Sequence, residues 1–352
     1  MGTPPNMTAL VVRVTDGQHP KLSKEEIPRP SPASNQVLVK LSHAAQNPTD
    51  VQSFDSNAFG DGAVLGCDFV GDVIELGSDV ARLSKGDIVA GLAWGGEVKG
   101  LGAYSQYCLA DERISFKLPT NADISRAEAS TIPLAAATAW LALFSKGCLA
   151  LNRNQAKGTR VLVWGGSSSV GLYTIQLASL CGFEVVTTCS PKHFNLVCAS
   201  GAKYAFDYKD KDVAEQIRGL APGLRHVFDT IGNATSSATA SRALHPGLGN
   251  LCTVRPERLI RKMSFRARAS RMCWFGLLSS KITAMESLSG LCASKDDHEL
   301  TSELFEKLPG WLEKGSLKPN KPKLLKGLDA VADGFQEYRD GKISAYKIVY
   351  EL

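Results

Sequence analysis

The chain has 352 residues, of which 44% are apolar and 21% are charged, and its formal net charge is +5. These proportions exclude a disordered or collagen-like protein, and the length predicts two or three domains that each bury a core. Nine cysteines are present but none form a C-x-x-C pair, so neither a disulfide scaffold nor a zinc ribbon is indicated.

The N-terminal third is expected to be rich in β-structure. Short apolar runs, separated by glycine, proline and aspartate, predict strands at residues 9–14, 36–42, 66–76 and 85–91. This pattern is typical of an irregular β-barrel. Residues 1–7 lack the apolar core of a signal peptide, so a cytoplasmic protein is expected.

An alanine-rich segment, residues 132–151, is the longest apolar stretch of the chain. Ser145, Lys146 and Gly147 interrupt it. It is therefore too weak for a membrane span and predicts a buried helix.

Residues 160–208 predict a strand, a small-residue turn, a helix and a second strand. In such a right-handed βαβ unit the turn approaches a pyrophosphate closely, and the helix N-terminus stabilises its negative charge. The dinucleotide fingerprint G-x-G-x-x-G falls on Gly166, Ser168 and Gly171, with serine in the middle position. A serine can still present its N–H and add a hydroxyl to the phosphate, although its Cβ narrows the approach. A tight turn without a ligand is the alternative.

The end of the second strand favours NADP(H) over NAD(H). An NAD site places a carboxylate about 20 residues after the fingerprint, where it accepts from the ribose 2′-hydroxyl. Here the chain reads Cys189-Ser190-Pro191-Lys192-His193. A hydroxyl and an ammonium bind a 2′-phosphate, which a carboxylate would repel. The alternative for Lys192 is an ordinary solvated loop residue.

Two amphipathic helices and a last strand are predicted near the C-terminus, at residues 300–312, 327–339 and 345–350.

Together these motifs resemble the medium-chain dehydrogenase/reductase family. The matching segments follow the family's order over almost the whole chain, at residues 47–50, 66–71, 77–80, 86–89, 102–107, 165–171 and 341–343. The resemblance implies an α/β fold in which a Rossmann domain, residues 126–290, is inserted into a GroES-like β-barrel catalytic domain. That catalytic domain would comprise residues 1–125 and 291–352, with the active site in the cleft between the domains.

Zinc-dependent members of the family carry a cysteine at or beside Gln46, Gly-His-Glu at residues 66–68, and four clustered cysteines. This chain retains only Cys67 of these ligands. A catalytic zinc needs three protein ligands, so the resemblance implies a zinc-independent member with no metal. Such members reduce activated C=C bonds, with hydrogen-bond donors holding the enolate oxygen.

One subgroup fits more closely, namely the trans-acting enoyl reductases that serve fungal polyketide synthases and hybrid synthase-peptide synthetases. The similarity is densest at residues 188–196, 206–208 and 228–231. It implies an NADPH-dependent enoyl reductase of secondary metabolism that acts on a polyketide thioester. The implied cofactor contacts are Thr49, Asp50, Val51, Gln52, Gly166, Ser167, Ser168, Ser169, Val170, Gly171, Ser190, Pro191, Lys192, His193, Tyr208, Val254, Arg255, Ser344 and Ala345.

The resemblance also implies substrate-side residues, with Thr138 and Gln52 as the catalytic candidates. A threonine in a buried helix commonly bonds its own i−4 carbonyl, so that alternative stays open for Thr138. The subgroup tends to have lysine where this chain has Gln52, and glutamine is not a cationic acid. Water, the Thr138 hydroxyl or the cofactor ribose are the alternative proton relays. The substrate candidates are Thr138, Ala139, Trp140, Trp274, Phe275 and Gly276.

Residues 255–281 contain eight Lys and Arg side chains and one Glu. A basic surface beside the active site would steer an acidic carrier domain, and a solvated basic segment is the alternative. No aromatic platform or motif indicates nucleic-acid binding.

Three functions of different class are compatible with the sequence. The first is the carrier-dependent enoyl reductase, and the second is a free-standing quinone or enone reductase for small substrates. The third is a non-redox protein that retains the fold, which Ser168 and Gln52 motivate. The first function predicts turnover of enoyl thioesters, and the second predicts turnover of small quinones or enones only. The third predicts turnover of neither.

Overall fold

The computed structural model describes residues 5–93, 95–246, 249–254, 270–272 and 295–352. The chain forms two compact units. The first unit comprises Met1–Leu134 and Phe305–Leu352, and the inserted unit comprises Ala135–Leu304. Both divisions fall inside helices, later in the chain than the boundaries expected after residues 125 and 290.

The elements follow one another as an N-terminal set of strands, an alternation of strands and helices, and a C-terminal return. The strands are β1 (Asn6–Arg13), β2 (Lys21–Pro28), β3 (Gln36–Ala45), β4 (Asp68–Leu76), β5 (Ile88–Leu92), β6 (Tyr107–Asp111), β7 (Ser115–Lys117), β8 (Arg160–Trp164), β9 (Glu184–Cys189), β10 (Ala202–Asp207), β11 (His226–Asp229), β12 (Asn250–Thr253), β13 (Ser270–Met272), β14 (Pro322–Lys326) and β15 (Lys347–Glu351). The helices are α1 (Pro48–Asp55), α2 (Arg126–Ser130), α3 (Pro133–Phe144), α4 (Ser169–Leu180), α5 (Phe194–Ala199), α6 (Val213–Leu220), α7 (Ala234–Arg242), α8 (Lys295–Glu313) and α9 (Val331–Arg339).

The first unit is built on β-sheets, as the sequence predicts. β1 pairs with β2, and a larger sheet has the order β14-β15-β3-β4-β5-β7, with β6 paired to β3. β15 comes from the C-terminal segment and pairs antiparallel with β3. Its core packs aliphatic strand residues against aromatic rings, among them Tyr104, whose ring lies edge-on to Tyr350 with centroids 5.5 Å apart. The C-terminal strand therefore completes the N-terminal sheet.

The inserted unit contains a parallel sheet of order β10-β9-β8-β11-β12-β13. Its central strands are buried almost throughout, because helices cover both faces of such a sheet. The strand order reverses between β8 and β11, and ligands of open α/β sheets bind at the carboxyl ends of strands at such a switch point. The glycine turn after β8 lies at this point.

The apolar helix predicted over residues 132–151 forms as α3 but ends at Phe144, and residues 145–151 are not helical. Among the described residues no helix is long and apolar enough to cross a membrane. Every residue of α3 is buried except Thr138, which is partly exposed.

Candidate active site

The turn between β8 and α4 has no room for side chains at two of its glycines. A Cβ on Gly166 would lie 2.1 Å from Thr187 Oγ1, and one on Gly171 would lie 2.4 Å from the carbonyl oxygen of Gly165. Gly165 itself has φ +83°, which L-residues rarely adopt. The backbone therefore folds tightly onto β9 while residues 167–170 stay partly exposed. A turn of this kind fits a dinucleotide phosphate at the N-terminus of α4.

Ser168 makes hydrogen bonds within the turn. Its N–H donates to Gly165 O at 3.0 Å, and its hydroxyl accepts from Gly171 N at 3.0 Å as the N-cap of α4. The Ser168 hydroxyl also lies 2.8 Å from Thr230 Oγ1. We therefore assign Ser168 to the internal bonding of the turn. The N–H of Val170, at the second helical position, has no acceptor within its helix.

The end of β11 braces the turn, a role that sequence reasoning missed. Thr230 donates from its hydroxyl to Trp164 O at 2.9 Å and sits against Ser168. The fully buried carboxylate of Asp229 accepts from the N–H groups of Ile231 and Gly232 and from the hydroxyls of Ser236 and Ser237. An acidic residue that ends a buried strand, followed by Thr and Gly, was the available signal.

The end of β9 presents the residues predicted to bind a 2′-phosphate. Ser190 begins a short 3-10 turn, Pro191–His193, in which Lys192 is exposed and His193 is partly exposed. Burial and then the positive charge of Lys192 lower the pKa of His193. His193 is therefore mostly neutral at pH 7, and Lys192 is the cation of this turn.

The adjacent strand contributes one aromatic ring and one acid to the same edge of the sheet. Asp207, the last residue of β10, pairs with Cys189, and Tyr208 follows it with 44% of its surface exposed. The Asp207 carboxylate accepts from Lys209 N at 3.0 Å. Tyr208 therefore lies beside the end of β9, as a residue that contacts an adenosine would.

The three candidate substrate residues of α3 differ in exposure. Ala139 and Trp140 are buried, and the indole N–H of Trp140 donates to Leu300 O at 2.9 Å. Arg153 covers the Trp140 ring at 5.2 Å. No hydrogen bond joins the partly exposed Thr138 hydroxyl to another residue that the structure describes. Thr138 is the best placed of the three to meet a ligand, and substrate contact by all three stays a prediction.

In the first unit, the carboxyl group of Asp50 is central to a buried cluster at the start of α1. Asp50 Oδ2 accepts from Asn47 N at 2.8 Å and from the Tyr104 hydroxyl at 3.0 Å, and its Oδ1 lies 3.6 Å from Cys67 Sγ. Burial raises the pKa of Asp50 to about 6, and the pKa values of Cys67 and Tyr104 are also raised by burial. The Cys67 thiol is therefore protonated at neutral pH.

Asp68 is the second acid of this region and pairs with a buried lysine. Lys347 Nζ donates to Asp68 Oδ2 at 2.5 Å, and Asn47 Nδ2 donates to the same oxygen at 2.9 Å. Asp68 Oδ1 accepts from Leu134 N at 2.6 Å. The cation bound by this carboxylate is thus an ammonium. Among the described residues no group of three or more His, Cys, Asp or Glu side chains is placed to hold a metal ion.

Gln46, just before α1, and Gln52, inside α1, make contacts with the C-terminal segment. Gln46 donates to Gly334 O at 3.0 Å and accepts from the Tyr350 hydroxyl. Gln52 is partly exposed and donates from Nε2 to the Tyr338 hydroxyl at 2.7 Å. Thr49 is partly exposed and Val51 is buried. Gln52 therefore has a structural partner, and its catalytic role stays a prediction.

The remaining candidates lie on loops or outside the described residues. Val254 is partly exposed after β12, and its N–H donates to Asp229 O at 3.2 Å. Ser344 is exposed, and Ala345 has φ +57°, an uncommon value for a non-glycine residue. Arg255, Trp274, Phe275 and Gly276, with all but residues 270–272 of the basic segment 255–281, lie outside the described residues.

Comparison with known proteins gives family matches in both units. Residues 33–120 match the alcohol dehydrogenase GroES-like domain, and residues 169–268 match the zinc-binding dehydrogenase family. The trans-enoyl reductase thnE of Trichoderma harzianum is 33% identical over 99% of this chain and 97% of its own length. The trans-enoyl reductase grgB of a Penicillium species is 30% identical over 99% of both chains.

A solved structure shares the fold at lower identity. An alcohol dehydrogenase superfamily protein from Novosphingobium aromaticivorans superposes with a TM-score of 0.78 and 22% identity, over 98% of this chain and 99% of that one. With a GroES-like domain, a Rossmann sheet and relatives that match from end to end, this chain belongs to the medium-chain dehydrogenase/reductase family.

Proposed function

We propose that this protein is an NADPH-dependent trans-acting enoyl reductase. Its substrate would be an α,β-unsaturated polyketide thioester on the carrier domain of a polyketide synthase or hybrid synthase. The observation that carries the proposal is the tight glycine turn after β8, together with the Ser190 and Lys192 end of β9. The substrate class comes from the relatives named trans-enoyl reductases, which match this chain over nearly its full length.

The residues present fit an NADP(H) cofactor. The Cβ-free turn at Gly166 and Gly171 and the N-terminus of α4 would hold the diphosphate. Ser190 and Lys192 would bind the 2′-phosphate, because a hydroxyl and an ammonium complement its charge. When bound, NADPH supplies the hydride that adds to the β-carbon of the enoyl group.

The protein's own residues would stabilise the charge that develops on the substrate. The Thr138 hydroxyl would donate to the thioester carbonyl oxygen, which becomes an enolate oxygen in the reaction. A proton from water must then reach the α-carbon to complete the saturated thioester. Gln52 can orient that water through its amide, which donates and accepts but does not ionise.

The reaction would not use zinc. Asp68, at the position where zinc-dependent members have glutamate, binds the Lys347 ammonium and two N–H donors. The thiol of Cys67 lies against Asp50 and its pKa is raised, whereas a zinc ligand must be a thiolate. Hydrogen-bond donors would therefore supply the electrophilic assistance.

The partner would be an acidic carrier domain. The basic segment 255–281 would attract it, because eight cations against one acid steer a negatively charged surface. The rate with a carrier-bound substrate should therefore fall as salt is added, whereas the rate with free pantetheine thioesters should change less.

The test is NADPH oxidation at 340 nm with three substrates in parallel, an enoyl thioester of pantetheine, a quinone and a simple enone. Preferential turnover of the thioester, with one saturated thioester formed per NADPH consumed, is the expected result. Turnover of the quinone or enone alone would replace the proposal with a small-molecule reductase. If NADPH is neither bound nor consumed, a redox function for this chain is wrong.

A further inference from the structure

Asp68 and Lys347 are an ion pair in the interior of the first unit, with side chains 0% and 3% exposed. The carboxylate binds the Lys347 ammonium, the Asn47 amide and the Leu134 N–H. Lys347 also lies 3.4 Å from Thr131 O. We call the group formed by Asn47, Asp68, Leu134 N–H and Lys347 the junction.

The members of the junction come from four separate elements. Asn47 is the N-cap of α1, Leu134 is the second residue of α3, Asp68 begins β4 and Lys347 begins β15. One carboxylate thus fixes the starts of α1 and α3. These are the helices that carry the candidate residues Gln52 and Thr138.

A buried ion pair is not needed to make the folded state stable. Removing two charges from water is unfavourable, and well-packed apolar residues of similar volume often give a fold that is as stable or more stable. The pair instead fixes the positions of the groups around it. A carboxylate accepts hydrogen bonds from several donors at once, and its negative charge is stabilised near a helix N-terminus.

We propose that Asp68 and Lys347 are positioning residues, which set the starts of α1 and α3 for the reaction. The proposal rests on the proposed enoyl reductase function. Neither residue would contact the substrate. Lys347 keeps the Asp68 side chain in place, and Asp68 holds the two helix starts.

Both side-chain oxygens of Asp68 are needed as acceptors, because donors surround this carboxylate. An asparagine at this position would accept from Leu134 N with its oxygen but present an N–H₂ group to the Asn47 amide, which is also a donor. Asn47 would then have to turn, and it would lose its bond to Ala45 O at 3.3 Å. The start of α1 would shift even if the buried charges were removed as a pair.

The test is a double-mutant cycle of Asp68→Asn, Lys347→Met and the combined variant. Each single change leaves one buried charge without its partner, and we expect Tm to fall by about 10 °C. The double variant should recover most of the Tm. Its kcat for the enoyl thioester should stay at least about tenfold below wild type, because small displacements of positioned groups reduce rate strongly. The Kd for NADPH should change less than about twofold, because the glycine turn proposed to bind the cofactor lies in the inserted unit.

A second readout does not depend on activity. Hydrogen exchange of the backbone amides at residues 49–52 and 134–138 should be faster in the double variant than in wild type, although Tm is restored. Lys203→Met is the matched control, because it breaks the exposed pair of Lys203 with Glu184 in the inserted unit. We expect it to leave Tm, kcat and exchange of both segments unchanged.

Recovery of kcat and of amide exchange together with Tm in the double variant would overturn the positioning role and leave a purely structural pair. Single variants with wild-type kcat would also overturn it. If the wild-type protein does not reduce enoyl thioesters, the proposed function fails, and the exchange measurement decides the junction separately.

Discussion

The two units build their candidate sites from different parts of the chain. In the inserted unit, the site is mainly backbone, a turn in which Gly166 and Gly171 leave no room for a Cβ. In the first unit, it is a network of buried side chains from distant segments, with Asp50 and Asp68 as the acceptors and Lys347 as the cation. Substitutions that add side-chain volume should therefore disrupt the site of the inserted unit. Substitutions that remove a charge should disrupt the site of the first unit.

The two units would therefore have different tasks. The turn of the inserted unit would bind the cofactor, and the buried network of the first unit would position the helix starts. A site made of backbone N–H groups binds any phosphate that fits, and the residue types at its exposed positions set only the preference among cofactors. A buried side-chain network has no ligand of its own. It keeps the helix starts in one arrangement, so its loss should lower rate and stability before it lowers cofactor affinity.

The largest expected effect is at Gly171. Gly171→Ala would place a Cβ 2.4 Å from Gly165 O and 2.8 Å from Gly166 Cα. Both atoms are backbone, so the turn itself must move. We expect a loss of about 4 kcal/mol of stability in urea unfolding and a Kd for NADPH raised at least about tenfold.

Gly219→Ala is the control for this change. Nothing lies within 4 Å of a Cβ at Gly219 in α6, so the alanine should stabilise the helix by up to ~1 kcal/mol. Wild-type NADPH affinity in a folded Gly171→Ala variant would contradict the assignment of the turn.

The next effect concerns Asp229, a buried residue at the end of β11, the strand whose next residue, Thr230, braces the turn. Asp229→Ala removes the acceptor of two N–H groups and of the Ser236 and Ser237 hydroxyls. Leaving these donors unpaired should cost about 3 kcal/mol in urea unfolding, with a smaller loss for Asp229→Asn, which keeps one carbonyl acceptor. Equal losses in both variants would argue against this bonding pattern.

The pH dependence of stability should identify the buried acid of the first unit. The folded pKa of Asp50 is about 6, above its ordinary value of 3.8, so the folded state holds this proton more tightly. The contribution is present below pH 4 and is lost as the pH rises to about 6. We expect Asp50→Asn to remove about 2 kcal/mol of this pH-dependent loss.

The measurement is urea unfolding of both proteins between pH 4 and pH 7. The groups that face Asp50 are the N–H of Asn47, Tyr104, Cys67, Asp68 and Lys347, and all are unchanged in the variant. A stability difference between wild type and variant that does not vary with pH would show that Asp50 is ionised throughout the range.

The smallest expected effect is at Ser168. Ser168→Gly restores the family glycine but removes the hydroxyl that caps α4 and contacts Thr230. We expect a loss of about 1 kcal/mol and a Kd for NADPH within about threefold of wild type. A tenfold rise in Kd, measured by fluorescence titration, would show that the Ser168 hydroxyl binds the phosphate after all.

The sequence predicts most of the inserted unit because its signals are local. An apolar strand, glycines at fixed spacing and an apolar helix specify β8, the turn and α4 within 21 consecutive residues, from Arg160 to Leu180. The partner of Ser168 could not be predicted in this way. Thr230 lies 62 residues away and meets Ser168 only because β11 pairs beside β8.

The contacts of the junction in the first unit were even harder to predict from the sequence. Asp68 and Lys347 are 279 residues apart, and spacing carries no information about a contact at that distance. A lysine beside the apolar run 348–350 at the end of the chain was the one local signal. Likewise, the helical pattern of α3 predicts burial but does not tell that Thr138 is its one partly exposed residue.

We propose that NADPH, rather than NADH, is the reductant of the enoyl group, because Ser190 and Lys192 at the end of β9 would bind its 2′-phosphate. The most direct measurement is kcat/KM for NADPH and for NADH with an enoyl-pantetheine thioester, in wild type, Lys192→Ala and the control Lys157→Ala. Lys157 is an exposed lysine that precedes β8, at the end of the strand away from the turn. We expect a wild-type preference for NADPH over NADH that falls about tenfold in Lys192→Ala and is unchanged in Lys157→Ala. Equal use of the two cofactors by wild type, or a preference that survives Lys192→Ala, would contradict it.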